Sequence, residues 1–244
     1  MEVNKIYLGN AYELIKGVET ASVDLIITDP WPPYEIEGIH GSGILKERNN
    51  NHTFNQLADS DLDKGIDYAI LDDLMRVMKV PNIYIFCNKP MIPKYYKYFV
   101  EEHNCNWEIL ILAKTDPIPF CGTHYLVDKE YCLFFWQTGA YINIPFERAK
   151  TVFIKQRNVA DKKDFKHPTI KPIDLIEVLI KNSCNSNGGG LILDPFVGSG
   201  TTCLGAKHLG HNYIGFEINP EYYQIAVDRL QGINANGEMN LFDI

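Results

Sequence analysis

The chain has 244 residues, of which 45% are hydrophobic and 22% charged, and carries a net charge of −8. This composition suits one globular domain with a full core, and the acidity argues against a protein that binds nucleic acid over its whole surface. No apolar run reaches the roughly 18 residues that span a bilayer, the start Met1-Glu-Val-Asn-Lys5 lacks signal-peptide features, and six scattered cysteines without CxxC spacing read as reduced thiols. A cytoplasmic protein without membrane contact and without a metal site is therefore expected.

In chain order, Ile6–Leu8 reads as a short strand, Gly9-Asn10 as a turn, and Ala11–Ile15 as helix-like. Ser22–Thr28 is apolar and β-branched, a buried strand that stops at Asp29-Pro-Trp-Pro-Pro-Tyr34, where three prolines forbid a continuing helix or central strand. Glu35–Asp63 has weak periodicity and reads as a long loop of functional character. The apolar spacing predicts an amphipathic helix over 67–79, and strands follow at Asn82–Cys87, Trp107–Ala113 and Tyr131–Trp136, with a tyrosine-rich helix over Pro93–His103. From Glu147 to Lys171 eight basic residues face three acids, a local basic stretch on an acidic body, compatible with phosphate contact or with a solvated loop. A helix from Ile173 to Cys184 leads to the strand Leu191–Asp194, a glycine turn, a helix over 201–209, the strand Asn212–Glu217 and a last helix from Asn219-Pro220 to Leu230. Strands and helices alternate, which predicts a doubly wound sheet with helices on both faces.

Two stretches carry chemistry. Asp194-Pro195-Phe196-Val-Gly198-Ser199-Gly200-Thr201-Thr202 is a strand end, a glycine turn and a helix N-terminus, where free N–H groups can face a nucleotide-like ligand. Glu217 closes the next strand at roughly the 20-residue spacing at which an acid meets ribose hydroxyls; capping the next helix is the competing use. Asp29 ends a buried strand in the crevice where open sheets bind ligands. Beside it are Pro30 and Pro33, with carbonyls free of competing N–H groups, and the flat faces of Trp31 and Tyr34. That set can hold a planar amino group.

Together with His167-Pro-Thr169-Ile-Lys171-Pro172 and Gly215-Phe-Glu217, these stretches resemble the motif set of amino-group (N6-adenine/N4-cytosine) DNA methyltransferases. Their order is similar to the permuted β class. The resemblance covers nearly the whole chain and implies an α/β, mostly parallel Rossmann-like sheet with a small target-recognition insert. One catalytic domain spans 1–244: a catalytic half (1–114), a candidate target-recognition region (115–166) and a cofactor-binding half (167–244). It implies S-adenosylmethionine as methyl donor, with Asp194–Thr202 around it, Glu217 on its ribose, and Thr169 and Lys171 closing over its methionine part. Gly9-Asn10 resembles a Gly-Asp element, with Asn10 in place of the acid.

By the same resemblance, Asp29 and a proline carbonyl accept the amino hydrogens of a base flipped out of the duplex, and Tyr34 stacks on it. Trp31 and Pro32 interrupt the family's four contiguous residues. Either Asp29-Pro30 and Pro33-Tyr34 are halves of an expanded motif, or Trp31 takes the stacking position. Arg148, Lys150, Lys155, Arg157, Lys162, Lys163 and Lys166 are the candidate contacts to double-stranded DNA, and the Glu35–Asp63 loop with His40 and Arg48 is a second candidate. Adenine N6 is favoured by the leading acid. N4-cytosine, RNA, and a non-catalytic or weakly active relative are the alternatives. A homodimer and a cognate restriction endonuclease are the further partners the resemblance implies.

Overall fold

The computed structural model describes residues 1–30, 66–117, 125–156, 170–185 and 189–233. Among them run eight strands: β1 (Lys5–Leu8), β2 (Leu25–Thr28), β3 (Asn82–Cys87), β4 (Asn106–Lys114), β5 (Lys129–Trp136), β6 (Val152–Lys155), β7 (Leu191–Asp194) and β8 (Asn212–Glu217). They form one sheet in the order β1-β8-β7-β2-β3-β5-β4-β6. The first five in that order are mutually parallel, β5 is antiparallel to both β3 and β4, and β6 returns parallel to β4.

The strands at the centre of the sheet are apolar without interruption because both faces are covered. Alternate side chains feed two cores. Leu25, Ile27, Tyr84, Phe86 and Ile192 point to one, under α4 (Ile173–Ser183), α5 (Thr201–His208) and α6 (Pro220–Leu230). Ile26, Ile83, Ile85, Leu193 and Phe216 point to the other, under α1 (Ala11–Leu14), α2 (Ile70–Val77) and α3 (Ile92–Tyr96).

Helix α2 buries Ile70, Leu71, Leu74 and Val77, each worth roughly 1.5–3 kcal/mol of transfer free energy. Asp72 and Asp73 in its first turn and Arg76 in its last complement the helix dipole. Arg76 also donates to the carbonyls of Ile15 and Val18, which ties α2 to the segment after α1. In the opposite core Tyr84 stacks on Phe134 at 4.1 Å and its hydroxyl shares a 2.8 Å hydrogen bond with Ser183.

The expected alternation fails beyond β4. No helix lies between β4 and β5 in the described residues, and their antiparallel register extends the sheet instead. The expected helix over Pro93–His103 is a short α-helix, α3, that widens into a π-helical stretch at Lys97–Glu102. The basic stretch contains an edge strand, β6, which sequence periodicity did not give, since Val152 and Ile154 are exposed and no apolar alternation marks it. The Glu35–Asp63 loop lies outside the described residues. Among the described residues no helix is long and apolar enough to cross a membrane.

Candidate active site

The parallel strands β1, β8, β7, β2 and β3 end on one edge of the sheet. From β2 the chain crosses by α2 to β3 on one side. From β7 it crosses by α5, over the other face, to β8 on the opposite side. Adjacent strands whose connections diverge leave a crevice at their carboxyl ends. Asp29-Pro30 follows β2 and the glycine turn follows β7, so both sequence-predicted stretches meet at this switch point. A hydrogen bond of 3.1 Å from the Thr28 hydroxyl to Asp194 Oδ1 joins the two strand ends.

A cavity of about 610 Å³ opens there. The turn residues Phe196, Gly198, Ser199 and Thr202 line one wall, and Asp29, Pro30, Lys171 and Glu130 the other. Gly200 caps α5 with φ +83° and no side-chain cap, which leaves the first N–H groups of that helix for a ligand. A Cβ on Gly215 would lie 2.5 Å from Val197 and 2.9 Å from Cys203, so only glycine lets β8 pack this close behind the turn.

Behind the turn, buried Arg229 of α6 donates to the Ser199 carbonyl and hydroxyl at 3.2 and 3.3 Å, and to the Thr201 hydroxyl at 2.7 Å. Its position in the stripe Tyr222, Ala226, Arg229, Leu230, a cation among core residues of a helix, was the overlooked sequence signal.

Glu217 takes the Gly198 N–H on one carboxylate oxygen and the Asn219 N–H on the other, both at 2.8 Å. It therefore shapes the turn directly, and burial raises its carboxyl against those N–H donors. Leu8 pairs with Glu217 in the sheet, so Asn10 comes to the same edge. Its side-chain oxygen is used there to cap the Tyr12 N–H at 2.9 Å. Tyr12 in turn meets Phe196 edge-on at 6.3 Å.

The opposite wall holds a chain of charges. Lys171 forms an ion pair with Asp29 and lies 3.3 Å from Glu130, whose other oxygen meets Lys114 at 2.7 Å. The Lys171 ammonium also sits 5.0 Å over the Phe86 ring. Burial works against this ammonium, but Asp29 and Glu130 outweigh it and hold Lys171 above the usual lysine range. Burial likewise opposes Glu130, and the two lysines overcome it to hold the carboxyl at about 2. Asp29 lines the cavity with 34% of its side chain open; desolvation, the largest influence, and Glu130 push its carboxyl up, while Lys171 pulls it down. Glu130 and Lys114 were not legible in the sequence, where an acid before an apolar strand has no distinguishing pattern. Cys87 also lines the cavity, and burial pushes its thiol up to about 12, which removes it as a nucleophile at neutral pH.

Burial raises Asp194 to about 7 against donors from the Phe196 N–H and from Thr202 and Thr28. With its folded pKa above the unfolded value of about 3.9, this carboxyl favours folding while protonated. The contribution is present below about pH 4 and lost as pH rises to about 7. Urea midpoints of the ligand-free protein measured across that window should fall more steeply for wild type than for Asp194→Asn; parallel profiles would contradict the assignment.

Of the remaining expected site residues, Trp31, Pro33, Tyr34, Thr169, Arg157, Lys162, Lys163 and Lys166 lie outside the described residues. Arg148 is held within the protein, donating to Asn182 at 2.8 Å and to the Asn143 carbonyl. Lys155 pairs with Asp174 on α4, and Lys150 is exposed.

The sequence profile of a family described as DNA methylase, covering N6 and N4 enzymes, matches residues 23–228. The chain belongs to this DNA methylase family. It is 29% identical to the type II methyltransferase M.HpaI of Haemophilus parainfluenzae, over 98% of this chain and 76% of that one. It is 26% identical to M1.MboII of Moraxella bovis, over 97% of this chain and all of the relative. The crystal structure of the M1.HpyAVI–SAM complex superposes with a TM-score of 0.66 at 26% identity, covering 93% and 98% of the two chains. The cytosine-N4-specific PvuII methyltransferase has the same TM-score of 0.66 at 17% identity and shares the fold. The DNA methylase is thus an S-adenosylmethionine-dependent methyltransferase that acts on DNA, built on the family's α/β sheet.

Proposed function

We propose that this methylase transfers a methyl group to the exocyclic N6 of adenine in a base flipped from duplex DNA. The reading rests on one juxtaposition: Asp29-Pro30 and the Asp194–Thr202 turn end neighbouring strands and share a cavity. S-adenosylmethionine, when bound, supplies a methyl carbon on a positively charged sulfur, open to displacement. The N–H groups at the start of α5, which no side chain caps, suit its carboxylate, and the acids Asp194 and Glu217 beside the turn suit its ammonium and hydroxyl groups. In this assignment Asn10, Pro195, Phe196, Gly198, Ser199, Gly200, Thr201 and Thr202 form the donor side.

On the acceptor side the chemistry is limited by a weak nucleophile. The lone pair of an aromatic amine is delocalised into the ring. Asp29 and the Pro30 carbonyl accept its two hydrogens, which favours the pyramidal nitrogen of the transition state. The nitrogen then attacks in line, the carbon–sulfur bond breaks with its electron pair left on sulfur, and the nitrogen gives up one proton toward Asp29. Holding nitrogen and methyl within about 3–3.5 Å supplies much of the acceleration. Trp31 or Tyr34 is the stacking face. Asp29 at the head of the motif favours adenine over cytosine, and kinship with type II methyltransferases favours a role beside a restriction endonuclease. A homodimer is supported by the exposed apolar side chains Val152 and Ile154 on the edge strand β6.

Sequencing that reads modified bases in DNA from cells expressing the protein tests the assignment. Methylated adenine in one fixed context is expected. Modification of cytosine alone, or of RNA and not DNA, would overturn it.

A further inference from the structure

The charged wall contains more than an acceptor for the amine. Asp29, as read above, must accept one hydrogen of a neutral amine, yet its carboxylate is already engaged by Lys171 through one oxygen. An ammonium brings a full opposite charge to the carboxylate and a neutral amine does not, so the amine competes poorly for an oxygen that the ammonium holds. Removing the cation altogether would leave a partly buried carboxylate without a counter-charge.

Glu130 resolves this conflict. It comes from β5, on the antiparallel part of the sheet and outside the stretches that carry the family resemblance. Its Oε2 is 3.3 Å from Lys171 Nζ, so the ammonium stands between two carboxylates. Its Oε1 is fixed by Lys114 at 2.7 Å. Lys171 is 13% exposed and anchored over Phe86, so a small rotation of its end exchanges partners without exposing the charge to bulk water. We propose that Glu130 is a positioning residue that shares Lys171 with Asp29 and draws the ammonium away when the target amine arrives, with Lys114 holding Glu130 in place for the exchange. Asp29 is thereby kept ionised in the free enzyme and released to the acceptor in the complex. The proposal rests on Asp29 being the amine acceptor.

In Glu130→Gln, Lys171 has only Asp29 as a charged partner among the described residues, and the amine is excluded. Steady-state kinetics with duplex DNA should give at least a tenfold fall in kcat/KM for DNA, with the donor Kd from calorimetry unchanged. Glu130→Asp, which retains the charge, should recover most of the loss. Because Glu130 acts through Lys171, the double variant Glu130→Gln with Lys171→Met should be no worse than Lys171→Met alone. A wild-type kcat/KM in Glu130→Gln would overturn the proposal. So would an equal loss in Glu130→Asp, or effects of the two substitutions that simply multiply, since a structural role predicts either of these. Asp29→Ala run in parallel separates the two readings: if it stays active, the acceptor assignment fails as well; if it is inactive while Glu130→Gln is normal, only the sharing of Lys171 fails.

Discussion

Replacing Asp29 with alanine is expected to lower kcat for methyl transfer by at least about 10²–10³-fold, the usual cost of removing one preorganised polar group from a reacting centre. Donor binding should be largely intact. The distinction follows from where Asp29 sits. It follows β2, on the opposite side of the cavity from the turn Phe196–Thr202, and its strand is joined to that side by the neighbouring pair Thr28–Asp194 and by the Thr202 hydroxyl on the Ile27 carbonyl. Lys171 loses one carboxylate in the variant but keeps Glu130, so the buried cation stays compensated and the wall stays folded. Labelled-methyl transfer to DNA, run beside calorimetry with the donor, reads both quantities. Equal transfer by wild type and variant would remove Asp29 from the mechanism.

The converse result is expected at Gly200. Its φ of +83° belongs to the left-handed region, which costs a residue with a Cβ roughly 1–2 kcal/mol. An added Cβ would also lie 3.1 Å from Ala226 Cβ, and 3.2 and 3.3 Å from its Cα and carbonyl oxygen. Those last two atoms are backbone of α6 and cannot turn aside, so the turn must move away from the helix that Arg229 binds to it. Gly200→Ala should therefore weaken donor affinity at least tenfold, equal to about 1.4 kcal/mol, and lower global stability. Gly210 is the control: its φ is +72° but nothing lies within 4 Å of its Cβ position, so Gly210→Ala should show the backbone strain alone and bind donor normally. Wild-type donor affinity in Gly200→Ala would contradict the role given to the turn.

The sequence was most legible where local chemistry and tertiary environment agree. Asn82–Cys87, Leu191–Asp194 and Asn212–Glu217 are apolar runs bounded by turn residues, and each is a strand over the expected residues. Strand β2 ends before Asp29-Pro30 as anticipated, and positive-φ glycines marked the turn after β7. Legibility failed where structure depends on distant partners. The antiparallel β4–β5 pairing breaks the parallel order because two strands find each other through register, and β6 lacks an apolar period because it lies at a sheet edge. At the site, Lys171 was visible as part of a motif, but its ion pair with Asp29 spans 142 positions. Glu130 joins them only once β5 has paired with β3 and β4. Arg148 and Lys155 show the opposite case: a run of positive charge suggested phosphate contacts, and folding uses two of its members on Asn182 and Asp174.

The central claim is that one cavity brings a methyl donor on the β7 turn to an amine held at Asp29. Its most direct test is mass analysis of nucleosides after the purified protein is incubated with duplex DNA and S-adenosylmethionine carrying an isotopically labelled methyl group. Labelled N6-methyladenine is the predicted product, absent with Asp29→Ala. Labelled N4-methylcytosine alone would contradict the adenine assignment, and no labelled nucleoside from wild type would contradict the site itself.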